Sequence, residues 1–198
     1  DKPTGPLWAF MAYTGCRIGE ALALAWDDVD LEKRTVRIHR TVRKDAKGRL
    51  SIGEGAKTAS SNRTVMLPAR AVMALHRQRA QCQRLQASRP KMWRDEGLVF
   101  PNAYGGLKPP GNVHETFAGY VRAADVPRIS PHGLRHTAAS LMYHAGVREK
   151  AAQLQLGHKT AAITINLYTH ISEADRRAAA DAIDALGRSD RHERSESE

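Results

Sequence analysis

The stretch GEGAKTASSNRTVML, residues 53–67, decides how the rest of the chain is read. Two glycines followed by Lys57 and Thr58 look like the end of a phosphate-cradling P-loop. A P-loop reads G-x-x-x-x-G-K-[ST] and opens a helix, whose N-terminal dipole holds the phosphate. Here Ala56 stands where the last glycine belongs. Beyond it, Arg63-Thr64-Val65-Met66-Leu67 is strand-like and stops at Pro68. Lys57 therefore precedes a strand and lacks the helix that would make an anion site. ATP or GTP binding is not expected, and the lysine's partner stays open at this point.

The neighbouring segments give that strand company. Residues 35–42 alternate, with Val36, Ile38 and Val42 on one face and Arg37, His39 and Thr41 on the other, a half-buried strand. Asp45-Ala46-Lys47-Gly48 is a turn, residues 49–52 pair back, and 63–67 supply a third strand. The rest reads as helix: 7–13, closed by Thr14-Gly15; an amphipathic run from Arg17 through Ile18, Ala21, Leu22 and Ala25; 68–86; 112–124; 131–146; 148–156, capped by Gly157; and 172–186. Residues 98–100 form a short strand or buried connector, and 160–167 are apolar on one side. The expected class is mainly helical α+β with a small three-stranded antiparallel sheet. Residues 1–187 form one domain, followed by a charged, disordered tail, 188–198.

Composition bounds the function. The chain has 198 residues, 41% of them hydrophobic, enough for a real core. Its net charge of +10 points to a polyanion partner, most often nucleic acid, although a soluble basic surface has the same composition. Because the tail holds three arginines and four acids, the excess lies in the folded body. Cys16 and Cys82 are far apart with no CxxC, which argues for a reducing, cytoplasmic compartment and against a cysteine-based zinc scaffold. No apolar run approaches membrane-span length, and no signal-peptide core opens the chain. The start DKPTGPLW has no initiator methionine, as expected of a piece of something longer.

Three further places could carry chemistry. HGLRH, His132 to His136, has the histidine spacing of a zincin helix, but Gly133 replaces the glutamate that would be the general base. Read instead as H-x-x-R, His132 and Arg135 project together, a guanidinium fork beside a neutral imidazole, which suits a phosphate. In TGCRIGE, Arg17 starts a helix at the unfavourable end of its dipole, so an anion or Glu20 must reward it. LGHKTAAITINLYTH carries His158 after a helix-ending glycine and Tyr168 ten residues later. Taken singly, each has a bland meaning: a surface ion pair, a dipole-stabilised histidine, a packed tyrosine.

Taken in order they do not. Arg17, Lys57, His132, Arg135, His158 and Tyr168 follow one another in the contexts T-G-x-R-I-G-E, K-T-x-x-S-x-R, H-x-L-R-H-T-A-A-S, L-G-H and Y-T-H. In this the chain resembles the tyrosine recombinase (phage integrase) family over nearly its whole length. The resemblance departs only in extent: the N-terminal core-binding domain usual in the family has no counterpart here, so the chain looks like an isolated C-terminal catalytic domain.

The resemblance implies a DNA strand-transfer enzyme of a phage or mobile element. Tyr168 would attack a phosphodiester, leaving a 3′-phosphotyrosyl bond and a free 5′-hydroxyl. One ester replaces another, so no ATP, metal or other cofactor is implied. Arg17 and Arg135 would hold the non-bridging oxygens, His132 would take the phenol proton, His158 would bond the phosphate, and Lys57 would protonate the leaving oxygen. Glu20 would orient Arg17. Arg37, His39, Arg43, Lys44, Arg63 and Lys159 are candidates for contacts with the DNA backbone, with a solvated charged face as the alternative for each. The partner implied is double-stranded DNA at a specific recombination site, bound by a tetramer whose free subunit is a monomer. The last helix, with Ile171, Ala174, Ala178, Ala182 and Leu186 in a thin apolar stripe, would dock in a neighbour or on its own domain. Two rivals stay open: a type IB topoisomerase, which shares the chemistry, and a catalytically silent DNA-binding module.

Overall fold

The computed structural model describes residues 4–54, 62–157 and 177. Lys57, His158, Lys159, Tyr168 and His170, the segment 160–167, and the last helix apart from Arg177 lie outside the described residues, as does the tail.

The core is organised around α1, Gly5–Thr14, whose Leu7, Trp8, Phe10, Met11 and Thr14 are all buried. A helix apolar on every side belongs inside, and α1 packs against α3, Ala69–Ser88, and against α5, Gly133–His144. Phe10 meets Phe100 at 5.4 Å between ring centroids, and Trp8 meets Phe117 of α4, Pro110–Ala123, at 4.6 Å. Residues 98–100 are the buried connector expected: Leu98 bridges Ala25, and Val99 N–H donates to the Leu24 carbonyl at 2.8 Å. The run from Arg17 is shorter than its pattern suggests. The helix α2, Ile18–Leu22, stops early because residues 24–26 extend to pair with that connector, and a single 3-10 turn, Trp26–Asp28, follows.

The strands differ from the expected arrangement in two respects, an added strand over 29–30 and a break at His39. β2, Thr35–Ile38, pairs antiparallel with β1, Val29–Asp30, and with β5, Arg63–Met66, setting Val36 opposite Val65. That is the three-stranded sheet. β3, Arg40–Lys44, leaves it and forms a separate hairpin with β4, Leu50–Glu54. The expected single strand over 35–42 therefore breaks at His39. Adjacent residues of a regular strand point to opposite faces. Here His39 Nε2 lies 2.9 Å from Asp28 Oδ1 while Arg40 donates to Asp28 Oδ2, so two successive side chains converge on one buried carboxylate. The alternation has to be interrupted for both to reach it.

α6, Glu149–Leu156, ends at Gly157 in the left-handed conformation, φ 69°. Its Leu156 packs with Ala138 and Ala139 of α5 in a second small core. Among the described residues no helix is long and apolar enough to cross a membrane.

The three helices meet at Gly15. It caps α1 at φ 70°, and a Cβ placed there would lie 2.3 Å from Leu156 Cδ2 and 3.3 Å from Ala138 Cβ. Gly15→Ala combines left-handed strain with overpacking. It is expected to lower stability by about 2–4 kcal/mol, read as a shift in the urea unfolding midpoint. Gly15→Asn tolerates the dihedral but keeps the overlap, so it should destabilise as well. An unshifted midpoint in both would contradict the close approach.

Candidate active site

The chain leaves α1 at Gly15 and enters α2 three residues later, at Ile18, and this sharp turn puts Arg17 at the α2 N-cap with extended backbone, ψ 151°. The dipole there disfavours a cation. Glu20, one turn on, offsets it: Oε2 accepts the Arg17 backbone N–H at 2.9 Å and Oε1 accepts Arg17 Nη1 at 2.8 Å. The first of these is the return half of a capping box. Arg17 keeps 44% of its side chain exposed, whereas the Glu20 side chain is 6% exposed.

A second guanidinium closes on the same carboxylate. Arg63, at the start of β5, donates Nη1 to Glu20 Oε1 at 3.2 Å and Nη2 to Oε2 at 2.9 Å. Its Nε donates to the Gln155 carbonyl of α6 at 3.1 Å. Burial works against the charge of Glu20, but the bonds and charge of Arg63, with the bonds from Arg17, outweigh it and hold the carboxyl below its usual range.

The third guanidinium comes from α5. Arg135 is 4% exposed, with Nη1 donating to the Gly15 carbonyl at 2.7 Å. Its Nη2 is buried with no hydrogen-bond partner among the described residues. Burial, then the charges of Arg17 and Arg63, push its pKa down to about 10. It stays charged at neutral pH, but among groups that repel it. Three guanidinium groups converge around one carboxylate, so the site carries a net positive charge and one orphaned donor: a place arranged for an anion.

His132 stands at the mouth of this cluster as the residue preceding α5, exposed, its ring edge-on to His136 at 5.1 Å between centroids. Partial burial, the neighbouring His136 and the charges of Arg135 and Arg17 lower its pKa below 6.5. The imidazole is therefore neutral at pH 7 and able to accept a proton. Among the described residues no group of three or more His, Cys, Asp or Glu gathers as metal ligands. Cys16, next to Arg17, is fully buried, and burial raises its thiol to about 11, which makes it inert.

Of the residues expected from sequence, the structure thus brings together Arg17, Glu20, His132 and Arg135. The basic residues over 37–44 divide. Arg43 and Lys44 are exposed on β3, the strand that packs on α2. Arg37 and His39 both lie against Asp28, Arg37 Nη2 at 3.5 Å with 63% of its side chain exposed and His39 with 24% exposed. Arg63, expected among the DNA-backbone contacts, is turned inward with 7% of its side chain exposed. The sequence reading also missed the Gly15 carbonyl and Gln155. Nothing local marks either one, because their partners lie 120 and 92 residues away.

Known proteins resemble this chain in sequence and in fold. The model of the phage integrase family matches residues 6–175. A tyrosine recombinase XerC-like protein of Caldanaerobacter subterraneus subsp. tengcongensis is 32% identical over 183 residues, covering 87% of this chain and 47% of that protein. The integrase of Staphylococcus phage L54a is 30% identical over 165 residues, covering 82% of this chain and 46% of that protein. The chain thus spans about half the length of these curated relatives. Among solved structures, the Tn1549 transposon integrase in complex with transposon right end DNA superimposes with a TM-score of 0.73 at 24% identity, over 92% of this chain and 60% of that one. The XerA recombinase gives 0.64 at 23% identity, over 92% of this chain and 58% of that one. At such identities the likeness is one of fold.

Proposed function

The chain belongs to the phage integrase family of tyrosine recombinases, and from that membership we propose that it cuts and rejoins DNA strands at a specific site through a 3′-phosphotyrosyl intermediate. The observation that carries the reading is the buried Arg135 Nη2, without a hydrogen-bond partner among the described residues, beside Arg17 in a net-cationic cluster. A phosphodiester crossing its pentacoordinate transition state gathers negative charge on the non-bridging oxygens, and fixed guanidinium forks are the donors suited to them.

The Tyr168 phenol oxygen forms a bond to phosphorus while the bond from phosphorus to the 5′-oxygen breaks. His132 takes the phenol proton, and Lys57 gives one to the departing oxygen. His158 bonds the phosphate. The geometric support is for Arg17, Arg135 and His132; Lys57, His158 and Tyr168 enter by their motifs. A free 5′-hydroxyl then attacks the phosphotyrosine, the bond from phosphorus to the Tyr168 oxygen breaks and the phenol is regenerated, so bond energy is conserved and no nucleotide is spent. The Tn1549 integrase structure, with its transposon DNA, supports a DNA partner. Assembly as a tetramer belongs to the same proposal.

A nicked suicide duplex, built from DNA flanking the chain's own gene, tests the reading. The full-length protein should form an adduct with it that survives denaturant and is insensitive to EDTA. Absence of any adduct would sink the proposal.

The proton acceptor makes a separate prediction. A base lowered below 6.5 acts fully above that pH and fails as pH falls through its own value. The second-order cleavage constant, which reports the free protein, should have an acid limb with its midpoint below 6.5. His132→Gln should remove that limb. A midpoint at or above 6.5, or a limb that survives the substitution, would place the base elsewhere.

A further inference from the structure

We infer that Arg63 is a positioning residue for strand cleavage: it satisfies Glu20 so that Arg17 stays available to the phosphate, and it locks the end of α6 onto the same assembly. The inference rests on the cleavage reading above.

Three observations carry it. First, Arg63 occupies both oxygens of Glu20 in a fork, at 3.2 and 2.9 Å. A carboxylate this buried needs its lone pairs filled. With Arg63 in place, Arg17 gives Glu20 only Nη1 and its own backbone N–H, and it remains 44% exposed. Without Arg63, Arg17 would be the sole guanidinium on Glu20 among the described residues, and it would be drawn inward to serve it.

Second, Arg63 Nε binds the carbonyl of Gln155, while the Gln155 side chain pairs with the Met66 backbone, Nε2 donating to the carbonyl at 2.7 Å and Oε1 accepting the N–H at 3.0 Å. The last turn of α6 is thus clamped along β5, an edge strand, by a side chain that imitates a neighbouring strand. His158 follows Gly157 directly in sequence, so this clamp fixes where the chain leaves α6 on its way to His158 and Tyr168.

Third, the side chain is 7% exposed, with its guanidinium donors turned to Glu20 and Gln155, which leaves it unsuited to a phosphate. Lysine could not replace it, since a single ammonium cannot form the fork and the Nε bond together.

The test is single-turnover cleavage of the nicked duplex by full-length protein, with duplex affinity measured in parallel. Arg63→Gln should cleave ~10²-fold more slowly, the scale of a misplaced catalytic group, at an affinity within about threefold of wild type. Arg63→Lys, which keeps the charge, should fold if Arg63→Gln does not, and should lose less rate. Combined with Glu20→Gln, the loss should be no larger than that of the worse single variant, the mark of residues acting as a unit. As a readout independent of rate, the Glu20 carboxylate, faced by Arg17, Arg63, Arg135 and Cys16, should titrate at higher pH in Arg63→Gln when followed by carbon NMR.

An affinity loss with the salt slope reduced by about one would make Arg63 a backbone contact and overturn the inference. So would an unchanged rate, or rate losses that simply add. If wild-type protein forms no adduct, the cleavage reading fails and takes the inference with it. If wild type cleaves and Arg63→Gln cleaves equally well, the inference alone fails.

Discussion

Arg135→Gln is expected to slow strand cleavage by ~10²–10³-fold, the usual cost of losing one preorganised donor to a developing oxyanion, without lowering the stability of the DNA-free protein. The two halves of this result have one cause. Arg135 is 4% exposed and is forced by burial and by the charges of Arg17 and Arg63 to a pKa of about 10. A cation whose pKa is depressed by folding opposes folding while it is charged. That cost is present at neutral pH and is relieved only as pH rises past about 10. Glutamine removes the charge. Against this stands the lost bond to the Gly15 carbonyl, worth about 1.5–3 kcal/mol because its donor is charged. The melting temperature of the variant should therefore match or exceed that of wild type while its activity falls, as at sites where stability has been yielded to function. Inorganic phosphate, binding the folded state, should raise the wild-type melting temperature and raise that of Arg135→Gln less. A variant that cleaves at the wild-type rate, or that unfolds as readily as one with a gutted core, would contradict this account of the cluster.

Much of this was legible in the sequence, for physical reasons that also mark the limits. The helices α3 to α6 were readable because each carries one apolar face over two turns or more, and because Gly157 ends α6 in the conformation glycine favours. α2 was readable only as a start. Its apolar spacing continues to Ala25, but tertiary pairing of residues 24–26 with 97–99 ends it at Leu22. The break at His39 was invisible because Asp28, which causes it, lies 11 residues away and on the other side of a turn. At the site, Arg17 and Glu20 were readable together because they sit one helical turn apart. The inward turn of Arg63 was not legible because its partner is 43 residues upstream, and a basic residue on a strand usually faces water. Local pattern reports which face a residue can occupy. It does not report which distant charge is waiting there.

The second large effect concerns Tyr168. Its replacement by phenylalanine removes one oxygen and should abolish the covalent adduct altogether, because no other group in the proposed set can form the phosphotyrosyl bond. DNA affinity should hold, since the phosphate contacts assigned to Arg17, Arg135 and His158 are untouched. A phenol ionises near ~10, so at neutral pH the proposed reaction would need both the base assigned to His132 and the guanidinium cluster to proceed at a useful rate. Tyr168→Phe should then be the silent DNA-binding module that the chain's charge alone would describe. An adduct that persists in this variant would assign the nucleophile to another residue.

The most direct measurement is the mass of the covalent link. Full-length protein trapped on the nicked duplex is digested with nuclease and then protease, and the peptides are sequenced by mass spectrometry. The account predicts a peptide in which Tyr168 alone carries a nucleotide through its 3′-phosphate. A nucleotide on any other residue, a 5′-phosphate linkage, or no modified peptide from protein that binds the duplex would contradict it.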